Sequence, residues 1–257
     1  MIRTKTNYGW KPDLPDYRDL RYSVNKKTTD KLPSKVDLRQ QLPPVYNQGS
    51  LNSCTANAIS AAFQYELIKQ DAKAAFMPSR LFIYYNERTI ENTIDTDCGG
   101  QIRDGIKSIG SLGVCSETTW PYIPGYFAQK PSANCYKEAL NHKAINYKRV
   151  TQELTQLKGC LAEGFPVVVG LSVYTAFESA TVAQSGMLNM PDCDEKPLGG
   201  HAVLLVGYDD ADNHFILRNS WGDTWGMAGY FKIPYEYLTN VDLSRDFWTI
   251  ELVADKT

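Results

Sequence analysis

No stretch of this 257-residue chain stays apolar over the ~18–20 residues that a bilayer-spanning helix needs, so no helical membrane partner is expected. Charge of neither sign is in excess: 27 basic residues face 29 acidic ones and the two are interspersed. That balance excludes the basic surface on which nucleic-acid or polybasic membrane binding rests. Histidine is scarce, with three in all, and no Cys-x-x-Cys or His-x-x-x-His spacing occurs. A metal site is therefore not expected, and no cofactor is implied. Internal repeats and low-complexity tracts are absent. Residues 1–20 are polar and contain Pro12 and Pro15, without the apolar core of a signal peptide.

What the chain does have is ordinary globular composition, 43% hydrophobic and 22% charged, and length for a sizeable core in one or two domains. Two separated segments carry the chemistry. The first is Gln48-Gly49-Ser50-Leu51-Asn52-Ser53-Cys54. The second is Gly199-Gly200-His201-Ala202, running on to Asn219-Ser220-Trp221-Gly222. Together they hold a thiol, an imidazole, an orienting amide and an oxyanion donor, the inventory of cysteine-based acyl transfer.

Cys54 stands where a helical pattern begins. Ala58, Ile59, Ala62, Phe63 and Leu67 recur at helical spacing, which predicts a helix over 54–70 with Ser53 as N-cap. A thiol in that first turn meets unpaired N–H groups and a positive macrodipole, and both favour the thiolate. The bland alternative is an inert core cysteine. Among the histidines, His142 and His214 lie in polar stretches and read as solvated surface residues, which leaves His201 as the candidate base.

Residues 1–31 read as an extended N-terminal arm and 32–257 as the main domain. Within that domain, 48–145 reads as a mostly helical half, with further helices over 78–91 and from Ile102 onward. The remainder, 146–257, reads as strands at 166–174, 201–208, 214–218, 229–233 and 247–253, separated by Asp-, Asn- and Gly-rich turns.

Three further segments complete a pattern: Leu32-Pro33-Ser34-Lys35-Val36-Asp37-Leu38-Arg39, Cys98-Gly99-Gly100 and Trp120-Pro121-Tyr122. His201 and Asn219 follow Cys54 by 147 and 165 residues, near the roughly 130–150 found in papain-like enzymes. In this order the segments resemble the papain/cathepsin family of cysteine peptidases, from about Leu32 to Val253. The resemblance implies an α+β, papain-like two-domain fold. A helical left domain would face an antiparallel, barrel-like right domain, with the active site in the cleft between them.

It also implies a hydrolase that cleaves peptide bonds through a thioester acyl-enzyme, an endopeptidase acting on peptides or proteins. By the same resemblance Cys54 is the nucleophile, His201 the base, Asn219 its orienting partner and Gln48 the oxyanion donor. Trp221 covers the His–Asn hydrogen bond. Gly99, Gly100, Gln101, Ile102 and Gly200 line a fairly open substrate cleft. A monomer and a zymogen-like form are expected. Alternatives are an exopeptidase or peptide ligase on the same site, or an inactive peptide-binding homologue. The His-His loop of the family's dipeptide-releasing carboxypeptidases has no counterpart here.

The chain departs from the family at Leu51, which replaces a bridging cysteine, and at Asn52 and Thr55, which replace a glycine and an aromatic. Of the six cysteines, only Cys98 and Cys135 match a family bridge, and this usage leans to a reducing compartment. Family prosegments are longer and helical. The arm is expected instead to dock through Tyr8, Trp10, Leu14, Tyr17, Leu20 and Tyr22, either restraining access to Cys54 or strapping the surface.

Overall fold

The structure, a computed structural model, describes residues 8–255 apart from 72 and 74. Its helices are α1 (Lys26–Thr29), α2 (Cys54–Asp71), α3 (Arg80–Ile90), α4 (Ile102–Ser111), α5 (Ala133–Ala139), α6 (Leu154–Ala162), α7 (Ala180–Ser185) and α8 (Tyr235–Thr239). Its strands are β1 (Lys35–Asp37), β2 (His142–Arg149), β3 (Val167–Tyr174), β4 (Pro197–Asp209), β5 (His214–Arg218), β6 (Tyr230–Pro234) and β7 (Ser244–Asp255). The strands form one seven-stranded sheet in the order β2-β7-β3-β4-β5-β6, with β1 added beside β4. Every pairing between these strands is antiparallel. The result is α+β, with an open sheet rather than a closed barrel.

Helix α2 is the spine of the molecule. It is buried all round from Cys54 to Phe63, as a helix enclosed on every side must be. Small residues at Ala56, Ala58, Ala61 and Ala62 let α3 and α4 approach one flank and strands β3, β4 and β7 the other. Ser53 does not cap it as expected. Its hydroxyl is held by Tyr122 at 2.5 Å and Asn57 at 3.1 Å. In α3 the cap is Ser79, whose Oγ accepts the N–H of Phe82.

Strand β3 is the β-branched run Val167-Val168-Val169, buried because β7 and β4 flank it. The expected helical half runs past its true end, since β2 begins at His142. That strand is mixed polar and half-buried, so its composition carries no alternation to read. His142 is half-buried rather than fully solvated: its ring lies 4.5 Å from that of Phe76.

The N-terminal arm crosses the cleft face and then runs beside β2, where Tyr22 donates to the Arg149 carbonyl at 2.9 Å. Trp10, Tyr22 and Val24 are buried. Three of the expected anchors are not anchors: Leu14, Tyr17 and Leu20 are 71%, 98% and 67% exposed. Polar groups hold that stretch instead. Asp19 makes a buried ion pair with Arg103 at 2.7 Å, and Asp13 accepts the Trp248 indole N–H at 2.8 Å.

Candidate active site

Cys54 is the first residue of α2 and has no exposed surface. Its Sγ accepts the backbone N–H of Ala202 at 3.3 Å, which sets the sulfur beside His201 on β4. Burial pushes the thiol up to about 11, against the opposing pull of N–H groups from Ala202, Gly9 and Thr55.

The β4–β5 pairing brings the ends of the second segment together. His201 lies on β4, opposite Leu171, and Asn219 directly follows β5. His201 Nε2 lies 2.8 Å from Asn219 Oδ1. Because that amide oxygen can only accept, Nε2 carries the proton and Nδ1 is the nitrogen that can exchange one. Asn219 Oδ1 also takes the N–H of Ser220 at 2.8 Å, which fixes its direction. The Trp221 ring lies 5.2 Å from the imidazole, with Phe177 and Trp225 packed behind it.

Gln48 is wholly buried. Its Nε2 donates to the Leu51 carbonyl at 2.8 Å and its Oε1 accepts from Ser220 Oγ at 2.6 Å. One amide hydrogen is thus used for positioning, and the second is available for an anion. Thr55, on the first turn of α2, hydrogen-bonds Glu87 at 2.6 Å.

The arm passes directly over these groups. The carbonyl of Gly9 accepts from Gly100 N at 2.8 Å, Lys11 N donates to the Gly100 carbonyl at 3.1 Å, and Trp10 N donates to the Gly200 carbonyl at 2.8 Å. Trp10 therefore pairs with Gly100 as a parallel bridge. Tyr8 lies with its ring 5.8 Å from that of His201 and donates its hydroxyl to Glu178 at 2.8 Å. Gly9 tolerates no side chain here: a Cβ would stand 1.7 Å from the Asn52 carbonyl.

Gly99, Gly100 and Gly200 all meet the arm. Gln101 lies farther along, its Oε1 accepting the Leu14 N–H at 3.1 Å. Ile102 is fully buried within the core. The pocket that the sequence suggested would be open is filled by the Trp10 ring. Its inner end is Asp246, which accepts the Trp10 indole N–H at 3.2 Å. Asp246 escaped the sequence reading, because no motif marks it and β7 was legible only from 247 onward. All six cysteines are free. The family-like bridge from Cys98 to Cys135 is not formed: Cys98 contacts Lys11 Nζ at 3.1 Å and Cys135 contacts Ser132 Oγ at 3.2 Å. Among the described residues no cluster of ligating side chains could hold a metal, and no helix is long and apolar enough to cross a membrane.

Residues 32–247 match the family model described as papain family cysteine protease. An uncharacterized peptidase C1-like protein of Acanthamoeba polyphaga mimivirus is 44% identical, over 97% of this chain and 88% of its own length. Mouse procathepsin L is 28% identical over 79% of this chain, which spans 60% of that protein. Among solved structures, xylellain, a cysteine protease from Xylella fastidiosa, superposes with a TM-score of 0.90. It is 45% identical, covering 99% of this chain and 98% of that one. Digestive procathepsin L 3 of Tenebrio molitor shares the fold, with a TM-score of 0.72 at 22% identity over 91% of this chain and 75% of its own.

Proposed function

The chain belongs to the papain family of cysteine proteases and is a hydrolase of peptide or protein substrates, and from that premise we propose that it is an endopeptidase held latent by its own N-terminal arm. The observation that carries this reading is the triad geometry with the arm across it. His201 is oriented by Asn219 at 2.8 Å, the thiol is docked on Ala202, and a peptide segment lies over both. That segment runs right through the cleft, from Tyr8 beside His201 and Trp221 to Asp13 beside Asp246. A cleft that accepts a chain passing through both ends suits an endopeptidase better than an enzyme that captures a terminus.

In the catalytic cycle the arm leaves and water re-enters, so the burial that raises the Cys54 pKa is relieved. Cys54 passes its proton to His201 Nδ1, and the thiolate attacks the substrate carbonyl carbon. The developing oxyanion takes hydrogen bonds from Gln48 Nε2 and the Cys54 N–H. As the tetrahedral species collapses, the C–N bond breaks and His201 returns its proton to the leaving amine. Water then attacks the thioester with His201 accepting its proton, the C–S bond breaks, and the released thiolate takes that proton back. Asn219 keeps the imidazole in one tautomer throughout, and Trp221 shields that hydrogen bond from water.

The carbonyl of Gly9 is already taken by the Gly100 N–H at 2.8 Å, which holds the arm's backbone in the cleft. The test is hydrolysis of a quenched-fluorescent peptide library by the purified chain and by Cys54→Ala and His201→Ala. Loss of turnover in both variants supports the reading. Turnover retained in either would sink the assignment.

A further inference from the structure

Cys98 immediately precedes Gly99 and Gly100, the glycine pair that the arm engages. It is partly exposed and Cys193 is more so, whereas Cys54, Cys115, Cys135 and Cys160 are buried. Lys11 of the arm meets Cys98 directly. Its backbone N–H donates to the Gly100 carbonyl at 3.1 Å, and its Nζ donates to Cys98 Sγ at 3.1 Å. The same ammonium reaches Glu91 Oε2 at 3.4 Å. The catalytic cycle uses none of these three side chains.

Burial works against a charge on Cys98, but hydrogen bonds from Thr96, Lys11 and Thr93 outweigh it and hold the thiol below its ordinary value. Partial burial likewise opposes the charge on Lys11, and Cys98 and Glu91 outweigh it. The contact thus favours the thiolate, which is the form that reacts with peroxides.

We propose that Cys98 and Lys11 form a site of reversible oxidative cross-linking, at which hydrogen peroxide joins Sγ to Nζ and pins the arm across the cleft. The bond stands on the geometry of the pair; only its consequence for latency rests on the peptidase reading above. The Cys98 thiolate attacks one peroxide oxygen, the O–O bond breaks, and a sulfenic acid forms with release of hydroxide. The hydroxide takes a proton from the Lys11 ammonium and leaves as water. The freed amine attacks the sulfur, the S–O bond breaks, and the departing hydroxide takes an N–H proton as a second water. Sulfur is oxidised by two electrons and peroxide reduced by two, leaving an S–N bond. Nζ is the nucleophile already placed for this step. The adjacent backbone amide competes poorly, since its lone pair is delocalised and the Gly99 N–H donates to the Tyr84 hydroxyl at 3.2 Å. A thiol reductant reverses the link: it attacks the sulfur, frees the amine, and a second thiol then releases Cys98 with formation of the reductant's disulfide. The link lies one residue beyond Trp10, where two backbone hydrogen bonds to Gly100 already hold the arm.

The test treats the reduced, full-length Cys54→Ala chain with a small excess of hydrogen peroxide and maps the products by peptide mass spectrometry. A peptide pair joined through Lys11 and Cys98 is expected, lighter by two hydrogens than its parts and separated by dithiothreitol. Cys98→Ser and Lys11→Arg should each abolish it. Hydrogen-exchange protection of the Trp10 amide should rise at least about 10-fold on oxidation and return to its starting value with the reductant. Cys98 recovered as a free thiol, as an unlinked oxyacid or bridged to another cysteine overturns the proposal, as does oxidation confined to Cys193. A Lys11–Cys98 link that leaves Trp10 protection unchanged refutes the pinning of the arm. Because none of these readouts needs turnover, a chain that hydrolyses no peptide sinks the peptidase reading alone.

Discussion

The backbone N–H of Trp10 donates to the carbonyl of Gly200 at 2.8 Å, one residue before His201, and that contact lays the arm over the catalytic groups. The carbonyl of Gly9 is in turn taken by the Gly100 N–H at 2.8 Å. The arm covers Cys54, which has no exposed surface, while Asn219 already aligns the His201 imidazole at 2.8 Å. We propose that latency and catalytic competence coexist in this one arrangement.

Gln48 is positioned by two buried hydrogen bonds, and we propose that it also serves the chemistry. Gln48→Ala is expected to lower kcat by about 10²–10³ through loss of an oxyanion donor. Because the side chain is wholly buried and bonded to Leu51 and Ser220, a stability loss of about 1–3 kcal/mol should accompany it. Steady-state kinetics and thermal melts read the two separately. An effect confined to KM would make Gln48 a substrate contact only.

All six cysteines are thiols, so stability does not rest on bridges. The melting temperature is expected to be the same with and without a reductant. Activity of the arm-released enzyme should need the reductant, because an accessible thiolate oxidises readily. A large fall in melting temperature on reduction would show that a bridge had been overlooked.

Docking of the arm should depend on pH with an unusual sign. Burial, reinforced by the neighbouring Asp246 and opposed by Trp248 and Arg103, raises Asp13 from 3.8 to about 6. A released arm returns Asp13 to water and its ordinary value. Below pH ~4 both forms hold the proton and docking is unaffected. Between pH ~4 and ~6 the docked form alone would keep it, so docking weakens as pH rises, by up to about 3 kcal/mol. Hydrogen-exchange protection of the Trp10 amide in Cys54→Ala, corrected for intrinsic rates, should fall up to about 100-fold from pH 4 to 7. Asp13→Asn should flatten the profile. Protection that rises with pH would contradict this account of the arm.

How much of this was readable in the chain depends on which residues are asked. The juxtaposition of Cys54, His201, Asn219 and Gln48 was legible through the resemblance of their segments to the papain/cathepsin family, while local patterns placed only Cys54 at a helix start and His201 at a strand start. The main helices and β3 were legible from periodicity and β-branched runs. Strand β2 was not, since a half-buried strand with mixed polar residues shows no alternation. The arm's docking was anticipated, but its chemistry was misjudged. Leu14, Tyr17 and Leu20 face solvent while Asp13 and Asp19 turn inward, because Arg103 and the Trp248 indole offer partners that a local reading of the arm cannot see. Asp246 was invisible for a similar reason. Its contact with the Trp10 indole follows from a one-residue bulge in β7, a long-range register feature without a sequence signature.

The most direct test of latency lies at Gly9, where a Cβ would collide with the Asn52 carbonyl at 1.7 Å. The measurement is the second-order rate of Cys54 modification by a thiol-directed epoxide, followed by mass spectrometry on the intact full-length chain, for the native sequence and for Gly9→Val. The account predicts slow labelling of the native chain and an increase of at least about 10-fold in Gly9→Val, with a parallel rise in peptide hydrolysis. Equal labelling rates in the two proteins would mean that the arm does not guard Cys54, and the latent-enzyme account would be wrong.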